Sequence, residues 1–319
     1  MYKIIQPPKI IFGDGSAKDY SYPSKPLIIT SNGSTKRRWL DYLGIKEYRL
    51  FDRVEPNPSI DTVNEILQDF DPTTFTTVIG LGGGSSLDVA KYVGFKMKKQ
   101  KIMIPTTFGS GSEVTRISVL KVGGKKQSFH DDKILADVAI VDPFFIKNSP
   151  LEVIKNSAVD ACAQCTEAFD SKNSNIYTKF LCMKAFEILE EGILNEKFYN
   201  LPLGALISGL GFGNSSTTLG HALSYVYSNE GYSHGHALAF TTLAAHKFNK
   251  SIFYERFKMI VDKLEFAPIV ISVSLNEASE IILKDKKHLD NNPKSISKTE
   301  IIKLLEEINL KYYKKDQKY

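Results

Sequence analysis

The chain has 319 residues, 42% hydrophobic and 24% charged, the make-up of an ordinary globular protein with room for two domains and a large core. Its net charge of +5 is mildly basic, but much of the excess lies at the C-terminus in Lys311, Lys314, Lys315 and Lys318; with no aromatic-studded basic patch, this argues against nucleic acid or a membrane as partner. No apolar run approaches the ~20 residues that span a bilayer, and the start M-Y-K-I-I-Q-P-P-K lacks an apolar leader, so a cytoplasmic location is expected.

In chain order, Lys9 to Phe12 reads as a short strand ending in the Gly13-Asp14-Gly15 turn. Pro26 to Thr30 reads as a buried parallel strand, followed by an Asn32-Gly33 turn and a helix from Ser34 or Thr35. Beyond the Pro-rich connection Val54 to Pro58, a helix over Ile60 to Phe70 precedes a strand over Thr76 to Leu81. Next comes G-G-G-S-S-L-D-V-A-K, Gly82 to Lys91, between an apolar strand and an apolar helix. Glycines in that setting let the backbone approach a diphosphate, and the helix start supplies free N–H groups. A strand over Lys101 to Pro105 leads to a second loop rich in hydroxyls and glycines, Thr106 to Thr115. Residues 117 to 141 read as β-structure with a Gly123-Gly124 turn. From Pro150 onward strand signals largely vanish, and helices are expected over Leu151 to Phe169, Ile176 to Glu190, a Leu201 to Tyr227 region, His236 to Phe248, Ile252 to Val261, Leu275 to Leu283 and Ser297 to Ile308. The fold class is therefore α/β, with a Rossmann-like N-terminal domain over 1–148 and an all-α domain over 149–319.

Three of the six histidines fall between Gly220 and His236, in G-H-A-L-S-Y-V-Y-S-N-E-G-Y-S-H-G-H. His221 opens an apolar segment, and His234 precedes Gly235, a position suited to close backbone approach. Asp160, in the apolar stretch N-S-A-V-D-A-C-A-Q-C-T-E-A-F, is the natural third partner. An Asp/His/His set that leaves a position open is what a catalytic divalent metal requires. The bland alternative, a paired core aspartate and satisfied core histidines, stays open on spacing alone. Cys162, Cys165 and Cys182 are an odd count in apolar helical surroundings, which excludes a disulfide framework, and the C-x-x-C lacks the turn or second pair of a redox or zinc motif.

Five ordered motifs, G-G-G-S-S-L-D-V-A-K, I-P-T-T-F-G-S-G-S-E-V-T, A-I-V-D-P, D-A-C-A-Q-C-T-E-A-F and the histidine stretch, resemble the iron-containing (group III) alcohol dehydrogenase family, related also to glycerol dehydrogenase and dehydroquinate synthase. The resemblance implies NAD or NADP and one divalent metal, Fe2+ or Zn2+, with a homodimer as the expected assembly. Carried over by position, Gly83, Gly84 and Ser85 hold the pyrophosphate, and Asp88, Thr106, Thr107 and Ser112 line the cofactor, with Ser31 and Asn57 as further cofactor-side candidates. Asp160, His221 and His234 fall on metal-ligand positions. Relatives usually carry a histidine where this chain has Gln164, which leaves a weak fourth ligand and an arrangement similar to that of glycerol dehydrogenase. Tyr225 stands where a further histidine is common and becomes the candidate proton relay, with His236 as competitor. Ser31 replaces a frequent aspartate, so a 2′-phosphate is not repelled. The implied activity is interconversion of an alcohol and an aldehyde, and H-A-L-S-Y with Gln164 is similar to the branch containing phosphonoacetaldehyde reductases. A small anionic aldehyde is thus the expected substrate, with Lys126 as a compensating cation. A lyase of the dehydroquinate synthase kind and a non-catalytic nucleotide or metal binder are the alternatives.

Overall fold

The structure, a computed structural model, describes residues 1–147 and 149–316, with side chains through Leu310. Lys3–Ser149 form one compact unit and the chain from Pro150 onward a second.

In the first unit, β1 (Lys9–Phe12), β2 (Leu27–Ile29), α1 (Asn32–Lys36), α2 (Trp39–Leu43), β3 (Arg49–Phe51), α3 (Ile60–Asp69), β4 (Thr77–Gly82), α4 (Gly84–Lys96), β5 (Gln100–Pro105), β6 (Ile117–Val122), β7 (Lys125–His130) and β8 (Val138–Val141) follow in turn. Six of the strands form a wholly parallel sheet in the order β1-β8-β5-β4-β2-β3. β2, β4 and β8 are buried along their whole length, as parallel strands covered on both faces must be, and this explains their unbroken apolar runs. From β2 the chain winds outward to β3, then returns through α3 to β4 and winds the other way to β5. The sheet thus reverses between β2 and β4, and a crevice forms outside their C-terminal ends, where ligands bind in open α/β sheets. Thr30 ties these two ends together, its hydroxyl donating to the Leu81 carbonyl at 2.6 Å.

Two local expectations are corrected. The Asn32-Gly33 pair is the first turn of α1 rather than a loop, because Ser31, in extended conformation, already occupies the N-cap position. β3 gives no sequence signal, being three residues long and buried only at Phe51.

The second unit carries α5 (Leu151–Asp170), α6 (Ile176–Leu194), α7 (Leu201–Phe212), α8 (Leu219–Asn229), α9 (His234–Asn249), α10 (Tyr254–Leu264), α11 (Leu275–Leu283), α12 (Lys286–Asn291) and α13 (Lys298–Asp316). The expected helical region over Leu201 to Tyr227 is two helices, broken between Gly213 and Thr218. α9 begins two residues earlier than periodicity suggests, so His234 is its first residue. The expected helix from Ile252 starts at Tyr254. α5 runs through the middle of this unit, packing against α6, α7 and α9. Its cysteines are free and buried, and burial pushes the Cys165 thiol up to about 12, so the C-x-x-C is inert packing. His246 is likewise a core histidine: its Nε2 meets the Thr166 hydroxyl at 2.8 Å, and burial lowers its pKa to about 4, which keeps it neutral. No helix among the described residues is long and apolar enough to cross a membrane.

Candidate active site

The turn between β4 and α4 is built for close approach. Gly82 sits at φ +149°, and a Cβ there would lie 2.7 Å from the Ser86 hydroxyl; at Gly84 a Cβ would meet Ser110 Oγ at 2.9 Å, and at Gly83 Thr107 Oγ1 at 3.0 Å. Gly83 caps α4 without any side chain to satisfy the first N–H groups, so the helix start presents bare donors. The loop is held from both sides: Thr106 N donates to Gly82 O at 2.9 Å, and Asn57 N, in a left-handed turn at φ +53°, donates to Ser85 Oγ at 3.3 Å. Gly83, Gly84, Ser85, Asn57 and Thr107 therefore gather at one strand end, while Ser31 caps α1 at the adjacent end, that of β2.

Asp88 and Ser112 are bonded to each other. Ser112 Oγ donates to Asp88 Oδ1 at 2.6 Å, and Asp88 Oδ2 accepts from Val119 N at 3.0 Å. Lys91, fully buried, reaches Asp88 at 3.3 Å and donates to the carbonyls of Thr115 and Ile117. These side chains fasten the second loop and β6 onto α4. Thr106 is buried beside them and contributes its backbone. Glu113, in the same loop, is 3% exposed, and burial pushes its carboxyl up to about 7.

That shift has a consequence for stability. Between the ordinary pKa and about 7 the folded state binds more protons than the unfolded one, so stability falls as pH rises through this window. Glu113→Gln removes the cost of ionising a buried acid. The variant is expected to gain up to about 3 kcal/mol at pH 8 and nothing at pH 4, read as denaturant midpoints at the two pH values. An equal change at both would show that Glu113 does not titrate in the folded protein.

In the helical unit, α5, α8 and α9 bring together Asp160, His221 and His234. The Nε2 atoms of both imidazoles lie 3.9 Å from Asp160 Oδ1, and all three ligand atoms fall within 4.8 Å of one another. Asp160 and His221 are largely buried, while His234 is half exposed. The first three residues of α9 place His234 by close packing: a Cβ on Gly235 would lie 2.6 Å from the Asn156 carbonyl carbon, nearer still to its oxygen.

His221 is held from behind by Glu167, a residue the sequence reading did not single out. The Glu167 carboxylate meets His221 Nδ1, and it accepts the backbone N–H groups of Gly220, Thr218 and His221, the last two at 3.5 and 3.3 Å, together with the Thr218 hydroxyl at 3.0 Å. Burial alone would raise its pKa, but the His221 imidazole and these donors outweigh that and hold the carboxyl below its ordinary range. The bond to Glu167 fixes a proton on Nδ1, so the neutral ring that a metal requires offers its lone pair from Nε2, the atom 3.9 Å from Asp160 Oδ1. The signal was present in spacing, since Asp160, Gln164 and Glu167 share one stripe of α5 at intervals of four and three.

Gln164 donates its amide N–H to Asp160 Oδ1 at 2.9 Å, and its Oε1 is buried without a hydrogen-bond partner. The trio fits a divalent ion. One carboxylate and two imidazoles suit Fe2+ or Zn2+, and ligands ~2.0–2.2 Å from a common ion stand about 3–3.5 Å apart, a small contraction from the separations here. An orphaned amide oxygen beside Asp160 is the further sign that this pocket is completed by something outside the chain.

Of the proton-relay candidates, Tyr225 is nearly buried with its ring 6.0 Å from that of His288. Burial first, then the carboxylates of Asp285 and Glu167, hold its phenol proton far above the ordinary range. His236 is not brought to the trio. Two positions along α9 from His234, it bonds through Nε2 to the Ala267 carbonyl and stacks on Phe266 with centroids 5.1 Å apart. Lys126 is exposed on β7, opposite Lys121 in the hairpin.

Comparison with known proteins decides the family. The sequence pattern described as iron-containing alcohol dehydrogenase matches residues 7–143, and the C-terminal pattern of the Fe-containing alcohol dehydrogenase family matches 154–284. The chain belongs to the iron-containing alcohol dehydrogenase family. Among family relatives, 4-hydroxybutyrate dehydrogenase of Clostridium kluyveri is 32% identical over 225 residues, 61% of each chain, and sulfoacetaldehyde reductase of Bilophila wadsworthia is 25% identical across 93% of this chain and 96% of its own. The chain spans 61% of the length of the first and 24% of the aldehyde-alcohol dehydrogenase of Streptococcus pneumoniae. An iron-containing alcohol dehydrogenase from Thermococcus thioreducens superimposes with a TM-score of 0.86 at 23% identity, covering 98% of this chain and all of the other, which establishes a shared fold.

Proposed function

We propose that this chain is a metal-dependent NAD(P)(H) oxidoreductase that interconverts a small alcohol and its aldehyde. The observation that carries the reading is the Asp160, His221 and His234 trio with Glu167 bonded behind His221, in a chain of this family. A divalent metal held by the trio supplies Lewis acidity at the substrate oxygen, and the nicotinamide supplies or accepts hydride. Glu167 keeps His221 in the tautomer that offers Nε2, and Gln164 keeps Asp160 oriented. Gly83, Gly84 and Ser85 bind the cofactor diphosphate through backbone and hydroxyl donors. Tyr225, whose ring borders that of His288, is the proposed proton relay.

A small anionic aldehyde is the proposed substrate class, in keeping with relatives named for 4-hydroxybutyrate and sulfoacetaldehyde, and Lys126 is the proposed cation for its charged end. The reading is tested by following absorbance at 340 nm with metal-stripped protein, NADH or NADPH, and short aldehydes with and without an anionic terminus. Oxidation of the reduced cofactor is expected only after Fe2+ or Zn2+ is restored. Cofactor binding without turnover under either metal would rule the activity out.

Cofactor choice follows from the end of β2. Ser31 brings no negative charge, and the Arg37 guanidinium donates to Gly33 O at 3.1 Å one turn along. A 2′-phosphate would meet a neutral hydroxyl and a nearby cation, so NADPH is expected to be used at least as well as NADH. Ser31→Asp is expected to shift the ratio of kcat/KM values toward NADH by about tenfold or more, the effect of one repelled phosphate. An unchanged ratio would place the adenosine ribose elsewhere.

A further inference from the structure

The structure places a third imidazole beside the two of the trio, one that the sequence motifs do not announce. His288 lies on α12, six residues long, where Asp285 serves as N-cap. Asp285 holds both the helix start and the ring: its carboxylate accepts from His288 N at 3.4 Å and meets His288 Nδ1 at 2.6 Å. The ring is 6% exposed and lies nearly parallel to that of His221, 21° apart with centroids at 6.1 Å, and it borders Tyr225. His221 is thus flanked by two imidazoles, the ligand His234 at 5.5 Å and His288.

With Nδ1 engaged, Nε2 is the ring's remaining polar atom, and it has no hydrogen bond from the protein among the described residues. An unbonded ring nitrogen beside the trio is available to a ligand. The Asp285 carboxylate accepts the proton on Nδ1, which fixes the tautomer and leaves a lone pair on Nε2. An alcohol hydroxyl is the donor that matches it.

Resting on the oxidoreductase reading, we propose that His288 is a catalytic residue that hydrogen-bonds the substrate alcohol at the trio, and that Asp285 is its positioning residue. His288 contributes an imidazole from a different helix than His221 and His234.

The experiment uses the full chain loaded with Co2+ and NAD+, titrated with propan-1-ol and with 4-hydroxybutyrate, and reads the visible Co2+ spectrum beside metal stoichiometry and turnover. His288→Ala is expected to retain Co2+ and raise the dissociation constant for either alcohol about tenfold, the value of one hydrogen bond to a substrate. His288→Gln, whose amide oxygen reaches a similar place, is expected to restore most of the binding. Asp285→Asn is expected to weaken alcohol binding in the parent and to add nothing in the His288→Ala background, because it acts through the ring. Parental binding in His288→Ala would overturn the proposal, and so would loss of Co2+, which would make His288 part of the metal site. If the parent protein itself turns over no alcohol, the oxidoreductase reading falls with it; if the parent is active and His288→Ala is equally so, only the role of His288 falls.

Discussion

Glu167→Gln is expected to weaken divalent metal binding by about ten- to a hundredfold, the usual cost of removing the carboxylate behind a ligating imidazole. Glu167 is 1% exposed and accepts from two hydroxyl or ring groups and three backbone N–H groups, so nothing from solvent replaces it. An amide in its place has one acceptor oxygen and one NH2 group. Wherever the NH2 lands it opposes donors that were paired, and each buried donor left unsatisfied costs about 1–3 kcal/mol. If the oxygen stays on the Gly220 side, the NH2 faces His221 Nδ1 and favours the tautomer with the proton on Nε2, the atom that must be bare to bind a metal. If it stays on the His221 side, the start of α8 loses its acceptor and the whole helix turn bearing His221 loosens. Titration with Zn2+ against a chelator, together with the melting temperature of the metal-free protein, separates these routes. Affinity within twofold of the parent would show that His221 is oriented by something other than this carboxylate.

The framework was legible because it rests on local rules. Gly82 to Lys91 declared itself as a strand-to-helix turn through its glycines, and the buried strands β2, β4 and β8 through unbroken apolar runs. The trio was legible as residue types, while its geometry was not, since Asp160 and His234 are 74 positions apart and only the crossing of α5 with α9 brings them together. Glu167 could have been found by extending the Asp160 stripe one more turn. His288 could not: α12 is too short to show a period, and its capping aspartate is one charged residue in the run K-D-K-K-H. Asp88 and Ser112 also do something that spacing could not show: bonded to each other, with the buried Lys91 3.3 Å from Asp88, they hold the second loop onto α4. His236 shares a motif with His234 and lies 200° around the helix from it by the ideal 100° step, so proximity in sequence turned its ring away to Ala267 and Phe266.

Gly235→Ala is expected to destabilise the helical unit by about 3 kcal/mol or more and to remove tight metal binding at temperatures where the fold persists. Position 235 has ordinary helical geometry, so the cost is not backbone strain. It is space: the added carbon would sit 2.6 Å from the Asn156 carbonyl carbon and 2.7 Å from its Cα, well inside the 3.0 Å that real Cβ contacts respect. The obstacle is main chain, which cannot swing aside as a flexible side chain does. In an α-helix the Asn156 carbonyl is also the acceptor for the N–H of Asp160, four residues on, so moving it disturbs the first ligand. Moving α9 instead displaces His234, the adjacent residue, and breaks the contact of the Ser233 hydroxyl with the Asn156 side chain. Either response opens a trio whose imidazoles already stand 3.9 Å from Asp160 Oδ1 and must come closer to hold an ion. The two effects are coupled through a single contact, and a variant that melts lower but binds Zn2+ with parental affinity would show that α5 and α9 can part without carrying Asp160 and His234 with them.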